Sequence, residues 1–306
     1  MTTPTPIPEK LPRAGLLAAL SAYTMWGFFP FYFKATDAVP PVEILAHRIV
    51  WSLPFGLLVL VLRRQISDTL GALRSPKTVG WLALAGVAIA LNWGVYILAI
   101  QEERIFEASL GYYINPLIYV LVGVVFLKES LDRLQMLAIA LATVGVAVLT
   151  VAGGVFPWVS LFLATTFTIY GIIRKQVAVG AMPGLFIEIC VLFLPALAYL
   201  VWLEMQGGSS FLAGDAAIDV LLLFAGPLTV VPLLFFAIAA RQLPLSVLGF
   251  MQFLGPTLQF FCGLYFGEPF TTAHAICFGF IWSAVAVFIL AKLRSRSQTP
   301  TLNPMK

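Results

Sequence analysis

Apolar residues run through this chain in long unbroken blocks, separated by short clusters of charged residues, Pro and Gly. A surface helix of a soluble domain would instead show a narrow apolar stripe. Ten blocks read as helices, at 14–35, 41–62, 79–100, 105–127, 131–151, 156–173, 181–203, 217–239, 243–266 and 271–292. At about 1.5 Å per residue each can cross a hydrocarbon core of about 30 Å, the block at 156–173 only just. Gly153, Gly154 and Pro157 leave that block short. The pattern predicts an all-α polytopic membrane protein with ten transmembrane helices.

Composition agrees: 60% of the residues are hydrophobic and 10% charged, against about 25% charged in a soluble domain. Ten spans use up 306 residues and leave no room for a separate soluble domain. No GxxxxGK[ST] motif is present, so this chain does not drive transport with ATP. The polar, Pro/Thr-rich start (MTTPTPIPEKLPR) carries no small-residue cleavage motif after a short apolar core, so the first block is expected to stay as a span.

The net charge of +4 is explained by orientation. Sorting basic residues onto alternate sides places Lys10, Arg13, Arg63, Arg64, Arg74, Lys77, Lys128, Arg133, Arg174, Lys175, Arg241, Lys292, Arg294, Arg296 and Lys306 on one side, 15 of the 18. Lys34 and Arg104 fall on the other, and Arg48 lies within a helix. The positive-inside rule then puts both termini in the cytoplasm and requires an even number of spans. Nucleic acid is not an expected partner; the lipid bilayer is.

Cys190, Cys262 and Cys277 sit in apolar blocks without CxxC spacing, and His47 and His274 form no paired-ligand pattern. No metal and no cofactor is expected.

The chain also matches itself weakly at an offset of 141: Lys34 falls on Lys175, Pro54 on Pro195, and the block at 144–149 on that at 285–290. With the offset relaxed, Pro116 meets Pro256 and Glu129 meets Glu268. Two five-helix halves, 14–151 and 156–292, with polar tails 1–13 and 293–306, must enter the membrane from opposite sides. Inverted repeats are a transporter architecture, with the substrate site near the midplane between the halves.

Several motifs resemble the drug/metabolite transporter superfamily, and within it the RarD-like branch of EamA-domain transporters. They are Tyr23-Thr24-Met25-Trp26-Gly27-Phe28-Phe29-Pro30 with Lys34, then His47-Arg48, and Asn92-Trp93 with Tyr96. The run Glu107-Ala108-Ser109-Leu110-Gly111-Tyr112-Tyr113-Ile114-Asn115-Pro116 follows, then Lys128-Glu129 and Tyr170-Gly171-Ile172-Ile173-Arg174-Lys175. The resemblance spans essentially the whole chain. It implies a ten-helix bacterial inner-membrane carrier of two EamA repeats around a central cavity for small metabolites or drugs. The second half departs from the first, with Leu254-Gly255-Pro256 in place of Ile114-Asn115-Pro116.

Ionisable residues inside a membrane are functional candidates, because a central charge costs about 2.5–3.5 kcal/mol on insertion scales. Arg48, roughly 10 Å deep, is expected to anchor a carboxylate or other anionic substrate group, since its planar fork suits bidentate pairing. His47 and Glu188, which the offset superposes, are candidates for proton coupling or gating. The alternative is an Arg48–Glu43 type pairing, or contact with helix-end carbonyls, that only locks helices. Glu43 itself is read as solvated near the interface.

Asn92, Trp93, Tyr96, Tyr112 and Asn115 supply amides and aromatic faces suited to an amphipathic solute, with interhelical hydrogen bonding as the alternative for Asn115. Gln252 and Gln259 are the polar candidates of the second half, and Pro116 and Pro256 the candidate hinges. The function expected is a secondary transporter of a small amphipathic organic solute working by alternating access, with proton coupling a further possibility. The alternatives are a membrane-embedded enzyme, to which only the Glu102, Glu103 and Glu107 cluster points, and a passive channel. Monomer and dimer are left open.

Overall fold

Prolines and capping side chains set the helix starts. The computed structural model describes residues 12–127, 133–154, 156–243, 247–248 and 251–297. Among them the chain forms α1 (Arg13–Gly27), α2 (Phe29–Ala35), α3 (Pro41–Leu62), α4 (Ile66–Leu73), α5 (Pro76–Gln101), α6 (Ile105–Leu127), α7 (Arg133–Gly153), α8 (Trp158–Gln176), α9 (Ala181–Met205), α10 (Ala216–Gln242), α11 (Leu254–Tyr265) and α12 (Thr272–Ser297). Pro41 and Pro76 stand in the first turn, where a missing N–H leaves nothing unpaired. The Ser75 hydroxyl accepts from Thr78 N at 3.3 Å, and Asp215 accepts from Ala217 N at 2.9 Å.

Among the described residues seven helices are long and apolar enough to cross a membrane: Arg13–Ala35, Pro41–Leu62, Pro76–Gln101, Arg133–Ala152, Ala181–Met205, Ala216–Ala240 and Thr272–Leu290. Trp158–Arg174 is a shorter apolar helix, as its sequence suggested, and α6 keeps the expected bounds. Large apolar side chains remain exposed along α3, α5, α9 and α10, among them Leu58, Leu62, Leu91, Leu194, Val201 and Phe224. Bands of this kind mark a surface made for lipid.

Three elements differ from expectation. The first span is broken at Phe28 into α1 and α2. Pro30 has no N–H to give to the carbonyl of Trp26 four residues back. The segment 63–75 contains α4, a short helix whose Ile66, Leu70 and Leu73 are exposed. Its eight residues lay in what reads as a charged connection. The ninth span, expected at 243–266, is interrupted: residues 247, 248 and 251 are helical, a turn follows, and α11 starts at Leu254; part of the remainder lies outside the described residues.

Packing pairs the helices in a pattern that survives exchange of the first five spans with the second five. α1 packs on α10 as α8 does on α5, α3 on α10 as α9 on α5, and α6 on α8 as α11 on α1. The pairs α3–α9, α6–α11 and α7–α12 map onto themselves. α3 and α9 meet at the centre, and α7 and α12 form a peripheral pair.

Two glycines related by this exchange bring backbones together. Gly86 of α5 sits against Glu188 of α9, where an added Cβ would find the Glu188 Cβ at 3.4 Å. Gly226 of α10 sits against the Trp51 carbonyl of α3, and its Cβ would be 2.8 Å from that of Trp51.

Candidate functional site

Arg48 lies on α3, two turns from Pro41, and is 4% exposed. Its Nε donates to the Thr229 hydroxyl of α10 at 3.0 Å, so the contact joins the two halves. The guanidinium carbon stands 4.4 Å from the Trp93 ring centroid, 5.6 Å from Phe33 and 5.7 Å from Phe29. Cation–π attraction of this kind is stronger where water is excluded. The break after α1 puts Phe29 and Phe33 one turn apart on α2, both against the arginine.

Around it stand the expected aromatic and amide residues of α5 and α6. The Tyr112 hydroxyl donates to Asn92 Oδ1 at 3.2 Å. Asn92 Nδ2 donates to Leu163 O at 2.8 Å and to Thr166 Oγ1 at 2.9 Å, both on α8. Asn92 is therefore saturated and acts as a bracket holding Tyr112 and α8 in place. Tyr96 packs edge-on against Tyr112 and Phe33, with centroids at 5.7 and 5.8 Å. The Tyr96 hydroxyl is buried and has no partner. Tyr32 donates to Leu221 O at 2.9 Å, closing the group on the α10 side.

Asn115 stands apart: its Oδ1 accepts from Thr168 of α8 at 2.9 Å, the interhelical role that was its alternative. Gln252 lies before α11, half-buried, with its backbone N–H on Leu248 O at 2.9 Å. Pro116 is inside α6. Pro256 is in the first turn of α11 and its carbonyl accepts from Ser109 at 2.8 Å, so it starts a helix and ties α11 to α6.

The ionisable candidates divide between two ends of the α3–α9 pair. Glu43 is fully buried, against the expectation of a solvated side chain: its oxygens accept from Ser210 N at 2.7 Å and Ser210 Oγ at 2.9 Å. The connection at 206–215 folds over it, a long-range contact that no local sequence feature announces. His47 Nε2 lies 3.9 Å from Glu43, its Nδ1 accepts from Trp51 Nε1 at 3.1 Å, and Phe211 covers the ring at 5.1 Å. The arginine pairing weighed for Glu43 does not form.

At the other end Glu188, 1% exposed, faces Arg174 Nε at 3.4 Å and the Tyr170 hydroxyl at 3.4 Å. Arg174 also donates to Gly180 O and Ala181 O at 3.2 and 3.3 Å. It lies flat on Gly184, where a side chain would collide with it. Sequence reasoning counted Arg174 as an orienting charge; the signal for its role is the four-residue spacing from Tyr170, which puts both on one helix face.

Thr229, Tyr32, Phe29 and Phe33 carried no such signal. The acidic group that pointed to an enzyme is engaged otherwise: Arg104 grips Glu107 through two hydrogen bonds of 2.8 and 3.0 Å and lies over Trp158 at 5.0 Å. Among the described residues no group of three His, Cys, Asp or Glu side chains could hold a metal.

Residues 13–151 match the model of the EamA-like transporter family. A protein from Streptomyces exfoliatus named RarD is 43% identical over 291 residues, 94% of this chain and 91% of that one. A Vibrio cholerae protein named an uncharacterized transporter is 42% identical, covering 92% of this chain and 94% of that one. RarD of Escherichia coli is 39% identical over 95% of this chain and 98% of its own. One crystal structure superposes with a TM-score of 0.60 at 20% identity, covering 90% of this chain and 97% of that one; this likeness concerns the fold alone. With such identity along nearly its whole length, the chain is a RarD-like member of the EamA branch of the drug/metabolite transporters.

Proposed function

We propose that this protein is a secondary carrier that moves a small amphipathic organic solute across the bacterial inner membrane by alternating access. The reading takes residues 14–151 and 156–292 as its two inverted halves and places both termini in the cytoplasm. One observation carries it: the Arg48–Thr229 bond and the aromatic group around it lie between the halves, while a separate closure stands at each end of the α3–α9 pair. Glu43, His47 and Ser210 form one closure, and Arg174, Glu188 and Tyr170 the other.

A carrier needs two gates that open in turn and a site between them. Each closure here joins an acidic side chain of a central helix to a neighbouring segment through only two or three polar contacts. Such contacts are few enough to break when the opposite gate closes. Arg48, Trp93, Tyr96 and Tyr112 are the residues we assign to solute, with Asn92 positioning Tyr112. His47 and Glu188 are the groups at which a proton would couple, since each stands in a closure and each changes charge on gaining or losing one.

The test is uptake and efflux of a metabolite panel in proteoliposomes, with and without a pH gradient. Arg48→Ala is expected to abolish transport, and Glu188→Gln to remove its dependence on the gradient. Unchanged transport and unchanged pH dependence in both variants would overturn the assignment.

A further inference from the structure

Within the Arg48 site one charge lacks a counterpart. Nε of Arg48 is taken by Thr229, whereas its Nη1 is buried and has no hydrogen-bond partner. The ionisable side chains that face it are Tyr32, Tyr112 and Tyr96, phenols that are neutral at ordinary pH. Among the described residues no carboxylate comes within ion-pair distance of it. The buried carboxylates nearby on the chain are occupied: Glu43 by Ser210, Glu188 by Arg174 and Glu107 by Arg104.

An arginine cannot relieve burial by giving up its proton. The faces of Trp93, Phe33 and Phe29 compensate its charge in part, but a ring face leaves an edge N–H unfilled. The Tyr96 hydroxyl is a second buried donor without an acceptor. Phe33 borders both groups, 5.6 Å from the guanidinium carbon and 5.8 Å from the Tyr96 ring. Two orphan donors, one of them charged, stand on the same aromatic wall, and what they lack is an acceptor bearing negative charge.

The chemistry of that acceptor is constrained further. One guanidinium balances one negative charge, and no second cation adjoins it among the described residues, so a monoanion fits better than a phosphate dianion. A carboxylate offers two oxygens, one for Nη1 and one for the phenol. The rest of the molecule would meet Trp93, Phe29, Phe33 and Tyr112, which suits an apolar or aromatic body; an ammonium group would find no free carboxylate there among the described residues. We infer that the solute bound here is a monocarboxylate with an aromatic or aliphatic body, held by Arg48 Nη1 and the Tyr96 hydroxyl. Its translocation rests on the carrier reading above, whereas its binding does not.

The full-length protein in lipid nanodiscs would be titrated with benzoate, phenylacetate, indole-3-acetate and hexanoate, each beside its neutral amide. Thermal shift and tryptophan fluorescence, to which Trp93 contributes, would report binding. At least one acid is expected to bind about tenfold or more tighter than its amide, the size of one charge-assisted hydrogen bond. Arg48→Gln should erase that preference, Arg48→Lys keep part of it, and Tyr96→Phe weaken the acid while leaving the amide unchanged. The lysine and phenylalanine variants carry the test if the glutamine variant fails to fold.

Acids that bind no better than amides, or a preference unmoved by Arg48→Lys and Tyr96→Phe, would overturn the inference. An acid that binds through Arg48 yet does not enter proteoliposomes would leave the inference standing and overturn the carrier. A neutral solute carried independently of Arg48, with no acid bound, would do the reverse.

Discussion

The side-chain amide of Gln259 donates to the backbone carbonyl of Trp26 at 3.1 Å, the carbonyl that Pro30 leaves without its helical partner. Cys262 reaches the next one, Gly27 O, at 3.5 Å. In a membrane no water stands ready to satisfy a freed carbonyl, so α11 of the second half completes the broken span of the first. Gln259→Leu should lower stability by about 1–3 kcal/mol through the unsatisfied carbonyl. Pro30→Ala, which restores the N–H, should recover part of that loss in the double variant. Thermal unfolding of the four proteins in one detergent gives the cycle, and additive losses would disprove the link.

In the Arg174–Glu188 pair Glu188 is buried, whereas the Arg174 side chain keeps 14% of its surface exposed. Removing one partner leaves the other charge uncompensated, at a cost of about 3–5 kcal/mol. Arg174→Leu and Glu188→Leu alone should therefore each destabilise the protein more than the two together. A double variant less stable than both singles would show that the residues do not act as a pair.

Glu268 lies in the connection between α11 and α12, outside the spans, where both carboxylate oxygens accept from Phe106 N at 3.2 and 3.0 Å and cap α6. Burial pushes its carboxyl up to about 8, with Glu107 and Glu103 adding to the rise and the backbone N–H groups of Phe106 and Ile105 opposing it. The folded value exceeds the unfolded one, so protonation favours the fold. That contribution is complete below about pH 4.5 and is lost as the pH climbs through about 8. The melting temperature should fall between pH 5 and pH 9, and Glu268→Gln should flatten the fall. An equal slope in the variant would place the titration elsewhere.

The two exchange-related glycines should respond unequally to alanine. At Gly86 the new methyl would meet ordinary contacts of 3.4 Å, whereas at Gly226 it would be forced into the Trp51 backbone. Gly226→Ala is expected to cost about 1–3 kcal/mol by overpacking, and Gly86→Ala clearly less. Melting temperatures measured side by side decide the ranking.

For the topology, Lys77→Cys and Glu103→Cys should label from opposite sides of the membrane. Labelling from the same side would rule out the even-span arrangement.

Most of the fold was legible because a bilayer leaves a coarse signature in long apolar blocks. Arg48, Asn92, Tyr96 and Tyr112 stand out by the same logic, as polar groups in places where they are expensive, and they lie close together in the fold. The residues that complete the site were not. Thr229 and Phe33 are ordinary in an apolar helix and matter only through what lies opposite them. Glu43 was misjudged because its distance from the helix start says nothing of the connection at 206–215 that covers it. The bend at Phe28 follows from Pro30, but its repair by Gln259 joins positions 233 residues apart.

The unequal glycine contacts also bear on mechanics. The α10 backbone meets that of α3 at Gly226 with no room for even a methyl group. Ordinary spacing at Gly86 leaves play between α5 and α9. If the halves rock as proposed, the tight seam is the natural fulcrum, one turn along α3 from the arginine.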